Sequence, residues 1–307
     1  MSTALRQRLE HRLSRTLDPE VRDFAMALAR DAGAVAVLFY GSNLRTGSLD
    51  GVLDFYLLLP GDRQDEPAIW PRVSYHERCV SEGGRSIMLR AKTATMRLST
   101  FAKAAQGELH DTTIWARFVQ PSALLWAHDE PTREAVVKTI ADSAITAARL
   151  AAALGPAKGR AAEYWRALFQ ATYKAEFRVE KPGRENDILT VNEDHFAGLL
   201  PLALKSGGIE FQTRGDELSV TLCPDERARI LAWWHRRRRL GKPLNFVRLA
   251  KASTTFDGAA RYAAWKIQRH TGLEIEVTPF RERYPLLAAP GVLWSLWRYR
   301  SRGGRAR

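Results

Sequence analysis

Leu38-Phe39-Tyr40-Gly41-Ser42-Asn43-Leu44-Arg45, followed by Leu53-Asp54-Phe55-Tyr56-Leu57-Leu58-Leu59, is the stretch whose reading decides the fold. An apolar run from Ala34 to Tyr40 ends at Gly-Ser, a polar turn follows, and a second apolar run opens with a single acid. Runs of this length bounded by glycine read as buried strands. Gly41 lets backbone amides approach a ligand closely, and Ser42 with those amides can hold a triphosphate. Asp54, at the start of the next strand, is placed to carry a metal bridging the same phosphates. A plain hairpin loop explains Gly-Ser alone; Gly-Ser with Arg45 and Asp54 points to a nucleotide.

Working outward, Val21, Phe24, Ala25, Leu28 and Ala29 give residues 19–31 a helical pattern, with Asp18 as N-cap and Pro19 at its start. Leu5, Leu9, Leu13 and Leu17 interleave with Arg6, Arg8, Arg12 and Arg15, as in a transit peptide or a first amphipathic helix. Glu10, Asp18 and Glu20 interrupt the basic character and favour the helix. Downstream of Pro60-Gly61-Asp62, residues 86–90 and 94–98 read as two strands, 99–107 as a helix and 123–127 as a closing strand. His128-Asp129-Glu130-Pro131 breaks the pattern and sets a domain boundary. Helices are expected over 132–154 and 159–174, then a hairpin through Gly215-Asp216, a winged-helix-like order. A further helix ends at Trp233-Trp234-His235-Arg236-Arg237-Arg238-Arg239, whose arginines either bind phosphate or mark a solvated helix end.

With 307 residues and 45% hydrophobic content the chain can bury a sizeable core. A formal charge of +13 suits a polyanionic partner, either nucleic acid or an anionic membrane surface. No apolar run approaches the roughly 18 residues of a membrane span. The two cysteines, Cys79 and Cys223, suit a reducing compartment and cannot by themselves make a zinc site.

A Gly-Ser turn followed at this distance by a strand-borne Asp resembles the polymerase-β-type nucleotidyltransferases. Within them, the chain resembles the peripheral, magnesium-dependent phosphatidate cytidylyltransferases of mitochondria, which make CDP-diacylglycerol from CTP and phosphatidate. Tyr40-Gly41-Ser42 and Leu53-Asp54-Phe55 are similar to that family's Tyr-Gly-Ser-Gly turn and Leu/Ile-Asp-Phe strand. Ala116-Arg117-Phe118-Val119-Gln120-Pro121 resembles its Gly-Arg-Leu-x-Lys-Pro segment. Tyr173-Lys174-Ala175-Glu176-Phe177-Arg178-Val179 resembles Tyr-x-Gly-Asp-Phe-Arg-Met, and Ala144-Ile145-Thr146-Ala147-Ala148 an upstream Ala-Val-Thr-Ala-Ala. These stretches keep the family's order across most of residues 35–200. Asn43 replaces the second glycine of the turn, Gln120 replaces a lysine, and Lys92 is followed by Thr93-Ala94 where the family has Tyr-Gly.

The pattern divides the chain into a first domain (1–130), a mainly helical, winged-helix-like domain (131–284) and a basic aromatic tail (285–307) expected to lie on a membrane, and the resemblance implies an α/β nucleotidyltransferase fold for the first. The expected chemistry is transfer of CMP from CTP to a lipid phosphate, with Mg²⁺ on Asp54. Asp54, Lys92 and Glu176 are the candidate catalytic residues, Glu176 as a second carboxylate. Gly41, Ser42, Arg45 and Arg117 are candidates for the nucleotide, and His76, Tyr173 and Arg178 for the lipid phosphate. Most of the superfamily has Asp-x-Asp here, whereas Asp54 stands between same-face positions Val52 and Tyr56. A phosphate acceptor is already ionised at neutral pH, so no second metal or base is needed to deprotonate it. The tail combines Trp294, Trp297 and Tyr299 with Arg298 and Arg300, the composition of an interfacial anchor or of a terminal helix docked on the core. The expected location is cytoplasmic, peripheral on the inner membrane face, or on the mitochondrial matrix face in a eukaryote. The alternatives are a nucleotidyltransferase acting on RNA or protein and an inactive nucleic-acid-binding relative.

Overall fold

The computed structural model describes residues 2–65, 71–82, 85–110, 112–175, 184–255 and 258–301. Helix α1 (Thr3–Leu13) buries Leu5, Leu9 and Leu13, a one-sided stripe at four-residue spacing. Helix α2 (Pro19–Ala32) starts as the sequence dictates, with the Asp18 carboxylate accepting the Glu20 N–H at 2.8 Å. Strand β1 (Ala36–Tyr40) follows, then α3 (Ser42–Thr46), β2 (Leu53–Leu59), β3 (Arg72–Glu82) and β4 (Arg85–Arg97). Helices α4 (Leu98–Ala105) and α5 (Thr113–Phe118) lead to β5 (Ser122–Ala127).

These strands form one mixed five-stranded sheet in the order β3-β4-β2-β1-β5. Only β2 and β4 run parallel among the neighbours; the other pairs are antiparallel. The two short strands expected at 86–90 and 94–98 are a single strand. Pairing with β2 holds Ala91–Arg97 extended while β3 pairs along all of β4, so the polar residues between the two runs stay in the pleat. Strand β3 itself was not expected. It is an edge strand with alternating polar residues, the composition by which sheet edges avoid further pairing. The polar turn after Gly41 winds into the single helical turn α3.

Alternation along the strands divides the sheet into two faces. Val37, Phe39, Phe55, Leu57 and Ala91 pack against Val21, Phe24, Ala25 and Leu28 of α2. Leu38, Tyr40, Tyr56, Leu58 and Ala94 face the larger core, shared with α1, α4, α5 and α6 (Glu130–Leu154). Helix α6 begins at N-cap Asp129, whose carboxylate accepts the Thr132 N–H at 2.8 Å. Its alanines let neighbouring helices approach closely, so the larger core continues without a break across residue 130.

Strand β6 (Lys158–Arg160), α7 (Ala161–Ala175), α8 (Arg184–Val191), α9 (Glu193–Phe196) and α10 (Leu199–Ser206) come next. The hairpin β7 (Glu210–Arg214) and β8 (Glu217–Thr221) turns at Gly215-Asp216 as expected and joins β6 in the order β6-β8-β7. Helix α11 (Pro224–Thr255) does not end at Arg239 but continues through Pro243. Arg237 is the reason the arginine run is not a simple helix end. It is buried over the Trp233 ring, 4.0 Å from its centroid, and donates to the carbonyls of Leu109 and Gly107. Burial lowers its pKa to about 10. Arg236, Arg238 and Arg239 are exposed. Helices α12 (Ala259–Thr271), α13 (Pro279–Arg283) and α14 (Pro285–Ser301) complete the chain.

Candidate functional site

The site forms where β1, β2 and β4 present residues side by side. Register pairs Tyr40 with Asp54 and Asp54 with Lys92, so one row crosses the three strands. Lys92 Nζ lies 3.4 Å from Asp54 Oδ1, and both side chains are partly exposed. The other carboxylate oxygen faces the turn: a methyl group placed on Gly41 would sit 2.8 Å from Asp54 Oδ2. Gly41 also has φ +92°, a conformation that disfavours any side chain. Glycine is therefore required twice over, by backbone angle and by the carboxylate beside it.

Ser42 and Arg45, three residues apart on α3, are exposed on the same side of that turn. Asn43 behaves differently. It is buried and donates through Nδ2 to the carbonyls of Ser48 (2.8 Å) and Asp50 (2.7 Å), closing the loop from α3 to β2. Its Oδ1 accepts from the Ser42 hydroxyl at 3.3 Å. Where a second glycine would leave this loop loose, Asn43 ties it.

Arg117 reaches the row from α5. Its guanidinium lies over the rings of Tyr40 (5.1 Å) and Tyr56 (5.9 Å), and Nη1 donates to the Tyr56 hydroxyl at 3.2 Å. Tyr56, Phe101 and Phe118 pack edge to face beneath it and fix its approach. Burial raises the Tyr40 phenol far above its ordinary pKa; Arg117 opposes that rise and the Asp54 carboxylate adds to it. Tyr40 therefore stays protonated as a wall of the site. Gln120 turns away, donating to the Ala116 carbonyl at 2.9 Å.

Compared with family models and with curated proteins, the sequence matches none.

Not every expected residue joins the row. His76 pairs with Ala91, not Lys92, so it points to the α2 face of the sheet. There its Nε2 lies 2.9 Å from the Ser74 hydroxyl, in a groove beside α2. Tyr173, on α7, packs half-buried against the larger core. Glu176 and Arg178 lie outside the described residues. Among the described residues, no three His, Cys, Asp or Glu side chains come together as a metal cage. Mg²⁺ does not demand one, since it is commonly held by one or two carboxylates together with substrate phosphates. A part-exposed Asp54 beside the turn amides fits that mode.

Other residues reach the row without a signal in the local sequence. Tyr75, buried on β3, pairs with Lys92 and donates to Glu77 Oε1 at 2.9 Å; Glu77 in turn pairs with Arg90 at 3.4 Å. Helix α12 docks here. Tyr262 lies against Tyr75 with ring centroids 5.4 Å apart, and Arg90 lies 5.5 Å over the Trp265 ring. Only an amphipathic pattern at 262, 265 and 269 could have pointed to α12, and that pattern is common to surface helices.

Residues 285–301 of the tail form α14, which packs along α11 and α13. Trp294 and Trp297 remain 57% and 66% exposed, and Arg298 lies 5.2 Å over the Trp294 ring. The Tyr299 hydroxyl comes close to Gly272, at the end of α12. Arg300 belongs to the same helix. No helix among the described residues is long and apolar enough to cross a membrane.

Proposed function

We propose that this protein is a nucleotidyltransferase that moves a nucleoside monophosphate from a nucleoside triphosphate to a phosphate acceptor. CTP and a lipid phosphate such as phosphatidate are the substrates that the family resemblance implies. The observation that carries the reading is the Asp54 carboxylate, held between Gly41 and Lys92 with Arg117 beside it. One acid among several cations, next to a tight glycine turn, suits a polyphosphate bound with a divalent cation.

In this reading the amides after Gly41, with Ser42, hold the triphosphate, and Arg45 faces the same side. Mg²⁺ at Asp54 would supply Lewis-acid charge to the phosphate oxygens. Lys92 and Arg117 offset the charge that grows on the leaving group. The acceptor phosphate, ionised at neutral pH, attacks the α-phosphorus in line. A new P–O bond forms there, the α–β bridging P–O bond breaks, and pyrophosphate leaves. The polymerase-β-like fold and the winged-helix-like region belong to this proposal; the order of the five-stranded sheet and the small β6-β8-β7 sheet support them. The exposed Trp294 and Trp297 support a membrane-surface acceptor and a peripheral location.

The test is an assay of each radiolabelled nucleoside triphosphate against phosphatidate and other lipid phosphates, with Mg²⁺. CDP-lipid and pyrophosphate are the expected products. Turnover of no triphosphate with any phosphate acceptor would remove the reading. A second reading rests on Arg236, Arg238 and Arg239, exposed along α11. Tight RNA binding without nucleotide turnover would favour it.

A further inference from the structure

Arg269 stands far from the Gly-Ser turn in sequence and beside it in space. A methyl group placed on Gly51 would lie 3.1 Å from Arg269 Nη1 and 3.6 Å from both Nδ2 and Oδ1 of Asn43. Gly51 has φ +102° and closes the loop that Asn43 ties, so the guanidinium rests on the backbone of the loop running from α3 to Asp54. Its other neighbour is the Trp265 ring, 5.3 Å from Cζ, which Arg90 shares. Among the described residues Arg269 has no carboxylate partner, and it is exposed. The other cations beside it are matched, Arg90 by Glu77 and Lys92 by Asp54, each at 3.4 Å.

From this placement we infer that Arg269 binds the β- and γ-phosphates of the donor nucleotide, so that α12 supplies the far wall of the triphosphate site. The inference rests on the nucleotidyl-transfer reading and assigns part of its binding site to the C-terminal helices. The planar fork of an arginine suits paired phosphate oxygens, and Trp265 holds it in place before the ligand arrives. The α-phosphate and nucleoside lie nearer the Gly41 turn and Asp54. Arg269 therefore serves triphosphate and pyrophosphate but not a monophosphate.

Equilibrium binding of CTP, CMP and inorganic pyrophosphate, each with Mg²⁺, to the full chain tests this without turnover. Arg269→Ala should weaken CTP and pyrophosphate roughly 10- to 100-fold, the usual range for losing charge-assisted hydrogen bonds, and leave CMP within about twofold. Arg269→Lys should fall between, because it keeps the charge and loses the fork. An unchanged melting temperature in both variants shows that the loss is not one of folding. Unaltered CTP binding in Arg269→Ala, or an equal loss for CMP, overturns the assignment. A raised acceptor KM with unaltered CTP binding overturns it in favour of the acceptor phosphate. If the unsubstituted chain binds no nucleoside triphosphate, the nucleotidyl-transfer reading fails first and this assignment with it.

Discussion

Helices α12 and α14 carry the same short pattern in different surroundings. Trp265 with Arg269, and Trp294 with Arg298, each stand one helical turn apart, guanidinium over indole at 5.3 and 5.2 Å. On α12 the pair is pressed toward the sheet, with Arg90 on the same indole and Gly51 against the guanidinium. On α14 the indoles face outward. A cation–π contact at a surface is worth only about 0.5–1 kcal/mol, too little to decide where a helix docks. The rest of each helix decides it: Tyr262 packs at a tilt against buried Tyr75 and Ala264 is buried, whereas α14 keeps large apolar side chains in solvent. The pattern sets the geometry of the pair, and the surface beneath the helix sets its use. If that is right, α12 affects transfer to any acceptor and α14 affects only acceptors in a membrane.

The sharpest way to test the division is to remove the chemistry that both helices are measured against. Asp54→Asn should reduce transfer by about 10³-fold or more, on soluble and on membrane acceptors alike, because the proposed Mg²⁺ site would lose its carboxylate charge without a change of shape. Circular dichroism and melting temperature should be little changed. Near-normal turnover in this variant would end the role of Asp54, and the two helices would then have no common reference.

The pH range in which the helices can be compared is limited by the scaffold. His195 is buried, with Nε2 donating to the Val119 carbonyl at 2.9 Å, directly after the helix that carries Arg117. Burial lowers its pKa from 6.5 to about 4; the Val119 hydrogen bond opposes that, and Arg12, Arg8 and Arg15 reinforce it. A folded-state pKa below the unfolded value gives stability that is present above pH ~6.5 and lost as pH falls toward ~4. The full loss is about 3 kcal/mol. Urea unfolding between pH 7.5 and pH 4 should show this slope, and His195→Gln, which can keep a donor toward Val119, should flatten it. An identical slope in the variant would assign the pH dependence elsewhere.

The sequence made one side of the site legible and hid the other. Gly41, Ser42 and Asp54 could be read because short apolar runs flank a turn and a strand, both local signals. Arg117 came from a resemblance, and its aromatic bed from the fold. The edge strand β3 was missed because polar alternation at a sheet edge looks like a loop. Arg269 was illegible because its contact with Gly51 depends on how α12 docks, and no local pattern encodes that. His76 went the other way: a one-residue step in register puts it on the opposite face of the sheet.

A smaller effect should come from Trp265→Leu. The substitution keeps apolar bulk on α12 but removes the ring that Arg90 and Arg269 share. Transfer should fall roughly tenfold, by the same factor on soluble and membrane acceptors, through a higher KM for the nucleotide. A loss seen only with vesicles would place α12 with α14 and erase the distinction between them.

The smallest effect separates the helices most cleanly. Replacing Trp294 and Trp297 with Ala should weaken binding to anionic vesicles by about tenfold, since indoles favour the headgroup level, and removing residues 290–307 should weaken it further, since each basic residue near anionic lipid adds roughly 1 kcal/mol. The double substitution leaves the arginines of α14 in place, so its residual binding should remain sensitive to salt. The truncation removes Arg298, Arg300, Arg302, Arg305 and Arg307 as well, so its residual binding should respond less. Raised salt screens the electrostatic part beyond a Debye length of about 8–10 Å and should reproduce part of the truncation in the unsubstituted chain. Transfer to a short-chain or detergent-solubilised acceptor should change less than twofold, because α14 packs on α11 and α13 and its exposed indoles are not part of the Asp54 row. Vesicle binding that survives both changes, or an equal loss on soluble acceptor, would make α14 part of the scaffold, and its outward indoles would need another partner.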